Sequence, residues 1–228
     1  IFSPEGPDGT RELLGGKYYV TAEPEEGADI LQKASAGGKE FYLCEYENAV
    51  PIGSAYQTYM TEKDFLQVPK ELRAAVMLEC LIVPEEKEEE AALTMEKFDG
   101  SFEEKISVEK LSEEYLDQLV SERVENGIQS LEKDPEGFTA VLNTDGEGYA
   151  FFSVPHDDGF RAEVNGERVE IMETNGMMAV PVEKGRNQIR FTYRNEDFLM
   201  GVLCSAVGVV LFGIYVGSFR KKRDGAGE

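Results

Sequence analysis

The chain has 228 residues and sets 45 Asp and Glu against 23 Lys and Arg, a formal charge of −22. Apolar residues make up 41% of it, with 13 Phe and 10 Tyr, too many for a wholly disordered acidic chain. A surface this negative repels phosphate backbones, which basic side chains would have to neutralise, so nucleic acid is excluded as a partner.

The chain opens Ile1-Phe2-Ser3-Pro4, without initiator Met or an apolar leader. This predicts the C-terminal piece of a longer protein, with a mature chain after signal cleavage as the alternative. Leu13 to Thr21 reads as the end of a short helix, broken by Gly15-Gly16, turning into a Tyr-Tyr-Val-Thr strand. Residues 23–40 read as a loop, Phe41–Tyr46 as a strand, and Ala49–Tyr56 as an edge strand because of Pro51. Thr61 and Asp64 have the spacing of a helix N-terminus. Pro69–Leu78 predicts a second short helix and Leu81–Val83 another strand. The run Glu85 to Glu90 reads as a solvated linker, since it lacks the turn residues of a calcium loop.

Phe102–Val108 predicts a strand, and Leu111–Leu131 carries apolar residues at helical spacing. From Phe138 the pattern turns to period two. Strands are expected at Phe138–Asn143, Tyr149–Pro155, Arg161–Asn165, Arg168–Glu173, Met177–Val182 and Gln188–Arg194. Asp-Gly, Asn-Gly and Lys-Gly pairs separate them, as in a compact antiparallel sandwich. Residues 198–219 are 22 positions without a charge, followed by Arg220-Lys221-Lys222-Arg223. As a helix this run is about 33 Å long, a bilayer span rather than a core helix. The basic cluster puts the tail in the cytoplasm and residues 1–197 outside. Charge divides at the same place: 43 acidic and 19 basic residues lie before 198, two acidic and four basic after it.

The fold expected is therefore α+β. A mixed α/β part at 1–95 precedes a helix and antiparallel β-sandwich at 96–197, a transmembrane helix at 198–219 and a cytoplasmic tail at 220–228. Gly201, Ser205, Val209, Gly213 and Gly217 recur every four residues. They form either a helix-packing face or the ordinary glycine content of a membrane helix.

The one histidine stands in Pro155-His156-Asp157-Asp158-Gly159-Phe160. Adjacent side chains diverge on extended backbone, so Asp-Gly reads as a turn rather than a metal site with His156. No metal or cofactor is expected, and no catalytic residue is assigned. Cys44 and Cys80 are candidates either for a disulfide or for small core positions.

Leu13 to Thr21 resembles the "LLGVKYYIT" element of the bacterial YfhO-family membrane proteins. Tyr46 to Gly53 resembles their "YENKNALPLG" stretch, and Thr61 to Val83 the acidic helix and strand that follow it. Phe152 to Phe160 is similar to "FSIPYDKGW", Val164 to Val169 to a V-(D/N)-G-K-x-V hairpin, and Val182 to Ile189 to "LPKGxHxI". His156 and Phe160 stand where Tyr and Trp are usual in the family, and Gly16 where Val is.

The resemblance implies a polytopic bacterial membrane protein with a glycosyltransferase-C-like core, of which this chain is the last extracytoplasmic domain and final helix. Such proteins are implied to move sugar from a polyprenyl-phosphate carrier onto envelope polymers such as lipoteichoic acid. The catalytic acid would lie in an earlier loop, leaving this module non-catalytic. The expected partners are the bilayer, upstream transmembrane helices, and a cell-wall polymer or polyprenyl-linked sugar. His156, Asp157, Asp158 and Phe160 are the candidate binding residues. Gly201, Ser205, Gly213 and Gly217 are the candidate packing face. The alternative is a single-pass surface module that binds glycan or protein.

Overall fold

The computed structural model describes residues 9–24, 28–46, 49–98 and 113–224. The strand expected at 102–108 and the helix start at Leu111 lie outside them. Two compact units are present, Ile1–Thr192 and Tyr193–Glu228, and each is taken by itself.

The first unit begins with α1 (Thr10–Leu13), stopped by Gly15 at φ +67°, and β1 (Tyr18–Thr21). β2 (Asp29–Ala36) and β3 (Lys39–Glu45) form a hairpin around Gly37-Gly38, and the sheet order is β1-β3-β2. From Asp29 on, the loop expected at 23–40 is thus corrected to strand and turn. Every β2 residue is exposed, so backbone pairing to β3 holds it and no alternation of apolar residues marks it.

β4 (Gly53–Tyr56) and β5 (Thr58–Thr61) follow almost without a break. α2 (Glu62–Phe65) is capped as its sequence predicts: Asp64 N–H donates to Thr61 Oγ1 at 3.3 Å. A 3₁₀ turn at Lys70–Leu72 leads into α3 (Arg73–Glu79), and β6 (Leu81–Val83) pairs parallel to β5. Glu85–Lys87 and α4 (Glu88–Ala91) are helical turns, which corrects the linker expected there. Their carboxylates stabilise the positive helix ends, and buried Ala91 fastens the segment to the core. β7 (Glu96–Lys97) completes the order β6-β5-β7.

α5 (Glu113–Glu125) is shorter than the helix expected to reach Leu131. Asn126-Gly127 ends it, and a Cβ at Gly127 would stand 2.3 Å from Pro51 Cγ. Ile128 and Leu131 instead belong to β8 (Ile128–Asp134), where they pack against the sandwich core. The remaining strands are β9 (Gly137–Thr144), β10 (Gly148–Pro155), β11 (Phe160–Val164), β12 (Glu167–Val169), β13 (Met172–Thr174), β14 (Met177–Val182) and β15 (Gly185–Tyr193). The strand expected at Arg168–Glu173 is two strands, because the chain crosses between sheets at Glu170-Ile171. Asn165-Gly166 and Asn175-Gly176 are tight turns with all four residues at positive φ.

Two sheets stack, one in the order β13-β14-β10-β4 and the other β12-β11-β15-β9-β8. β4 is an edge strand, as its neighbouring proline suggests. The boundary expected at residue 95 crosses the first sheet, since β4 pairs with β10. That sheet is buried on both faces. Ala150, Phe152, Met178, Val180 and Ala55 meet the second sheet around Ile189 and Phe191. Tyr149, Phe151, Ala179 and Tyr56 meet α3, α5 and the parallel sheet, through Val76, Leu78, Leu119 and Val83. Cys44 and Cys80 are buried, unpaired thiols, the core alternative of the sequence reading.

The second unit contains α6 (Glu196–Asp224), 29 residues long and capped by Asn195 Oδ1 on Phe198 N–H at 2.9 Å. Its described side chains, at 198 and 200–215, are exposed. Among the described residues no helix is long and apolar enough to cross a membrane. The uncharged run of the sequence continues past the last of these side chains, Tyr215, to Phe219.

Gly148 tests the registration of β10 on β4. A Cβ there would lie 2.2 Å from the Tyr56 carbonyl oxygen, backbone that cannot step aside without breaking β10–β4 pairing. Gly148→Ala is expected to cost about 3 kcal/mol in urea unfolding. A loss below about 0.5 kcal/mol would contradict the registration of these strands.

Candidate functional site

The sequence motif Pro155-His156-Asp157-Asp158-Gly159-Phe160 lies where the chain leaves the end of β10 for the start of β11, passing from one sheet to the other. Asp157 builds the turn: its Oδ1 accepts Gly159 N–H at 2.8 Å and its carbonyl accepts Phe160 N–H at 3.0 Å. Arg161 Nη1 reinforces it by donating to the carbonyls of Asp158 and of Phe160, the latter at 2.8 Å. His156 N–H donates to the Gly176 carbonyl at 2.9 Å, which ties the turn to the β13–β14 hairpin.

The return crossing is made by Glu170-Ile171, between β12 and β13. The two crossings enclose a depression of 430 Å³ lined by His156, Asp157, Asp158, Phe160, Arg161, Ala162, Arg168, Val169, Glu170 and Ile171. All four binding candidates from the sequence therefore line one depression. Arg161, Arg168 and Glu170 were not singled out by sequence. The signal existed: a two-residue Asn165-Gly166 turn pairs Val164 with Glu167 and Ala162 with Val169, which carries Arg168 and Glu170 beside the motif.

The depression has an apolar base and a charged rim. Phe160 packs edge-on against Phe191 with centroids 6.5 Å apart, so the core holds its ring. At the rim, Lys87 Nζ bridges Glu170 Oε2 at 2.8 Å and Glu90 Oε2 at 3.1 Å, and Tyr149 O–H donates to Glu90 Oε1 at 3.2 Å. The bond to Glu170 first, and the one to Glu90 after it, raises the Lys87 ammonium's pKa. Burial, with Glu90 adding to it, pushes the Tyr149 hydroxyl up to about 12. The Glu85–Glu90 run thus fastens α4 to the site's edge. His156 Nδ1 lies 3.9 Å from Glu173 Oε2, an ion pair when the imidazole is protonated.

Among the described residues no group of three or more His, Cys, Asp or Glu is placed to hold a metal ion. The small-residue series on α6 is partly visible. Nothing lies within 4 Å of a Cβ built at Gly201 or Gly213, and Ser205 Oγ donates to the Gly201 carbonyl at 2.8 Å. The surroundings of Gly217 lie outside the described side chains.

The turn and the metal readings of Asp157 separate experimentally. Asp157→Asn keeps an acceptor for Gly159 N–H and is expected to leave stability within about 0.5 kcal/mol, whereas Asp157→Ala loses about 1 kcal/mol. Thermal unfolding with and without added zinc or calcium checks it. A metal-dependent rise in midpoint that Asp157→Ala abolishes would reverse the assignment.

Comparison with known proteins gives one result of substance. A family model described as "Bacterial membrane protein YfhO" matches residues 85–205, from α4 through every strand of the two sandwich sheets except β4 and into α6. Neither the curated proteins nor the solved structures provide a match. The matched residues include the whole of the depression, the strands that form it and more than half of the sequence, so the chain belongs to the YfhO family of bacterial membrane proteins.

Proposed function

We propose that this chain is the extracytoplasmic module and membrane anchor of a YfhO-type glycosyltransferase. In this reading the whole protein transfers sugar from a polyprenyl-phosphate carrier to an envelope polymer of the teichoic acid type. The module presents the acceptor and leaves the chemistry to other parts of the protein.

The family match carries the reading, because it joins the sandwich to the apolar helix in one membrane-protein family. The helix supports it. Met200, Leu203, Val209, Leu211, Phe212 and Ile214 are each at least 59% exposed, on all sides of α6. A helix apolar all round finds its low-energy environment in lipid. The uncharged run 198–219 supplies the span and Arg220 to Arg223 the cytoplasmic anchor. Gly201, Ser205, Gly213 and Gly217 then offer close packing to other membrane helices. A second reading, a single-pass glycan- or protein-binding module, is favoured by the depression being complete within residues 156–171.

Topology is tested with an impermeant maleimide on intact cells carrying Cys204→Ser, against a background in which Cys44 and Cys80 are buried. Lys39→Cys is expected to label from outside, and Ala226→Cys only after lysis. The opposite pattern overturns the orientation. Mass spectrometry of envelope polymer from a strain lacking the protein is expected to show loss of sugar substituents. Unchanged glycosylation would overturn the transferase reading in favour of the single-pass module.

A further inference from the structure

Most polar groups of the depression are committed to building it. Asp157 closes its turn on Gly159, Arg161 holds two carbonyls of the same turn, and Glu170 pairs with Lys87. Two are left over. Among the described residues, the Asp158 carboxylate and the Arg168 guanidinium make no hydrogen bond or ion pair, and both line the depression. The His156 imidazole, with Glu173 at 3.9 Å, lines it too. Phe160, Ala162, Val169 and Ile171 provide the apolar surface between them.

This combination selects among ligand classes. An isolated anion would meet Asp157, Asp158 and Glu170, and an isolated cation would meet Arg161 and Arg168. A wholly apolar ligand would strip water from both signs of charge without replacing it. A neutral ring bearing adjacent hydroxyls satisfies every group. Hydroxyls donate to the acceptor-only carboxylate and accept from the donor-only guanidinium, and the C–H face of such a ring covers an aromatic surface. The volume lies within the range of small-molecule sites.

We infer that the depression between His156 and Ile171 binds a neutral pyranose, with Asp158 and Arg168 gripping its hydroxyls and Phe160 covering its C–H face. The inference rests on the acceptor-presenting reading and gives that module its point of contact. Free sugar, polymer substituent and lipid-linked sugar share this chemistry.

Saturation-transfer NMR on the full chain in nanodiscs tests it, with methyl β-glucopyranoside, methyl N-acetyl-β-glucosaminide and glycerol 3-phosphate as probes. Transfer to the ring protons of at least one pyranoside is expected. Asp158→Ala and Arg168→Ala, both at exposed positions, are expected to weaken it about five- to tenfold. Phe160→Leu keeps the apolar filling against Phe191 and is expected to weaken it as well, with the unfolding midpoint as a check on folding. Transfer to glycerol 3-phosphate alone, to no probe, or to a pyranoside with all three variants behaving as the parent would each overturn the site. Competition by extracted envelope polymer or by polyprenyl-linked sugar then tells which source the site serves. Sugar binding with unchanged polymer glycosylation would remove the transferase reading and leave the site standing. Lost glycosylation without sugar binding would do the reverse.

Discussion

A strand reading Tyr149-Ala150-Phe151-Phe152 cannot turn either face to water without exposing aromatic surface, and the rest of the first unit is arranged around that constraint. Phe152 is fully buried against Phe138 and Phe191 of the second sheet, with T-shaped contact to Phe191 at 4.9 Å. One residue earlier, Phe151 points to the other side and meets Tyr56 at 6.0 Å. Removing a ring of this kind from such a core costs about 3–5 kcal/mol, a large share of a domain's net stability. A strand buried on both faces requires two covers. The second sheet supplies one, and α3, α5 and the short parallel sheet supply the other.

The covers are also fastened by polar groups. Arg123 of α5 is buried, donates to the Ala55 carbonyl at 2.8 Å and lies 4.1 Å from the Tyr56 ring centroid. Its cation sits on an aromatic face, which offsets part of the cost of desolvation. Tyr56 O–H donates in turn to the Met77 carbonyl of α3 at 2.8 Å, so one tyrosine binds both helices to the central sheet. Across the sandwich, Asn187 is fully buried and satisfies the 183–187 turn through the Glu183 and Gly185 carbonyls and Glu183 N–H. Arg123 and Tyr56 give the doubly covered sheet a single register, because a slip of β4 would leave both unpaired.

Much of this was legible in the sequence. Turn pairs placed the sandwich strands to within a few residues, since Asn-Gly and Lys-Gly carry their own backbone geometry. The Thr61 cap and the strand after α3 followed from short-range chemistry, though not that strand's parallel pairing. What escaped were interactions between distant residues. β2 has no buried side chain and is a strand only because β3 lies beside it. The helix expected to run to Leu131 follows a true apolar periodicity at 124, 128 and 131, but Gly127 against Pro51 breaks it. A continuous apolar run at Tyr149–Phe152 was itself a sign of double burial, although nothing local said which residues would form the second cover. For the site, the motif at 156–160 was visible as a turn. Its charged neighbours came from a hairpin whose register the Asn-Gly turn already specified.

The depression lies at sheet crossings for a physical reason. Inside a sheet, backbone groups are spent on neighbouring strands and side chains alternate between core and surface. Where the chain steps from one sheet to the other, at 156–159 and 170–171, the ladder lapses and the ends of strands leave a gap between layers. Asp157 and Arg161 replace the missing ladder with side-chain bonds, which keeps the gap rigid. Residues 1–197 carry 43 acidic side chains against 19 basic ones, yet the rim of this gap holds two arginines beside three carboxylates. A polyanionic polymer would meet repulsion over most of the surface, screened beyond about 10 Å at 0.1 M salt. In the proposed acceptor-presenting role, contact falls where the local charge is close to balanced, through the neutral part of such a polymer. The acidity excludes a broad electrostatic embrace and directs any grip to a short-range, hydrogen-bonded one.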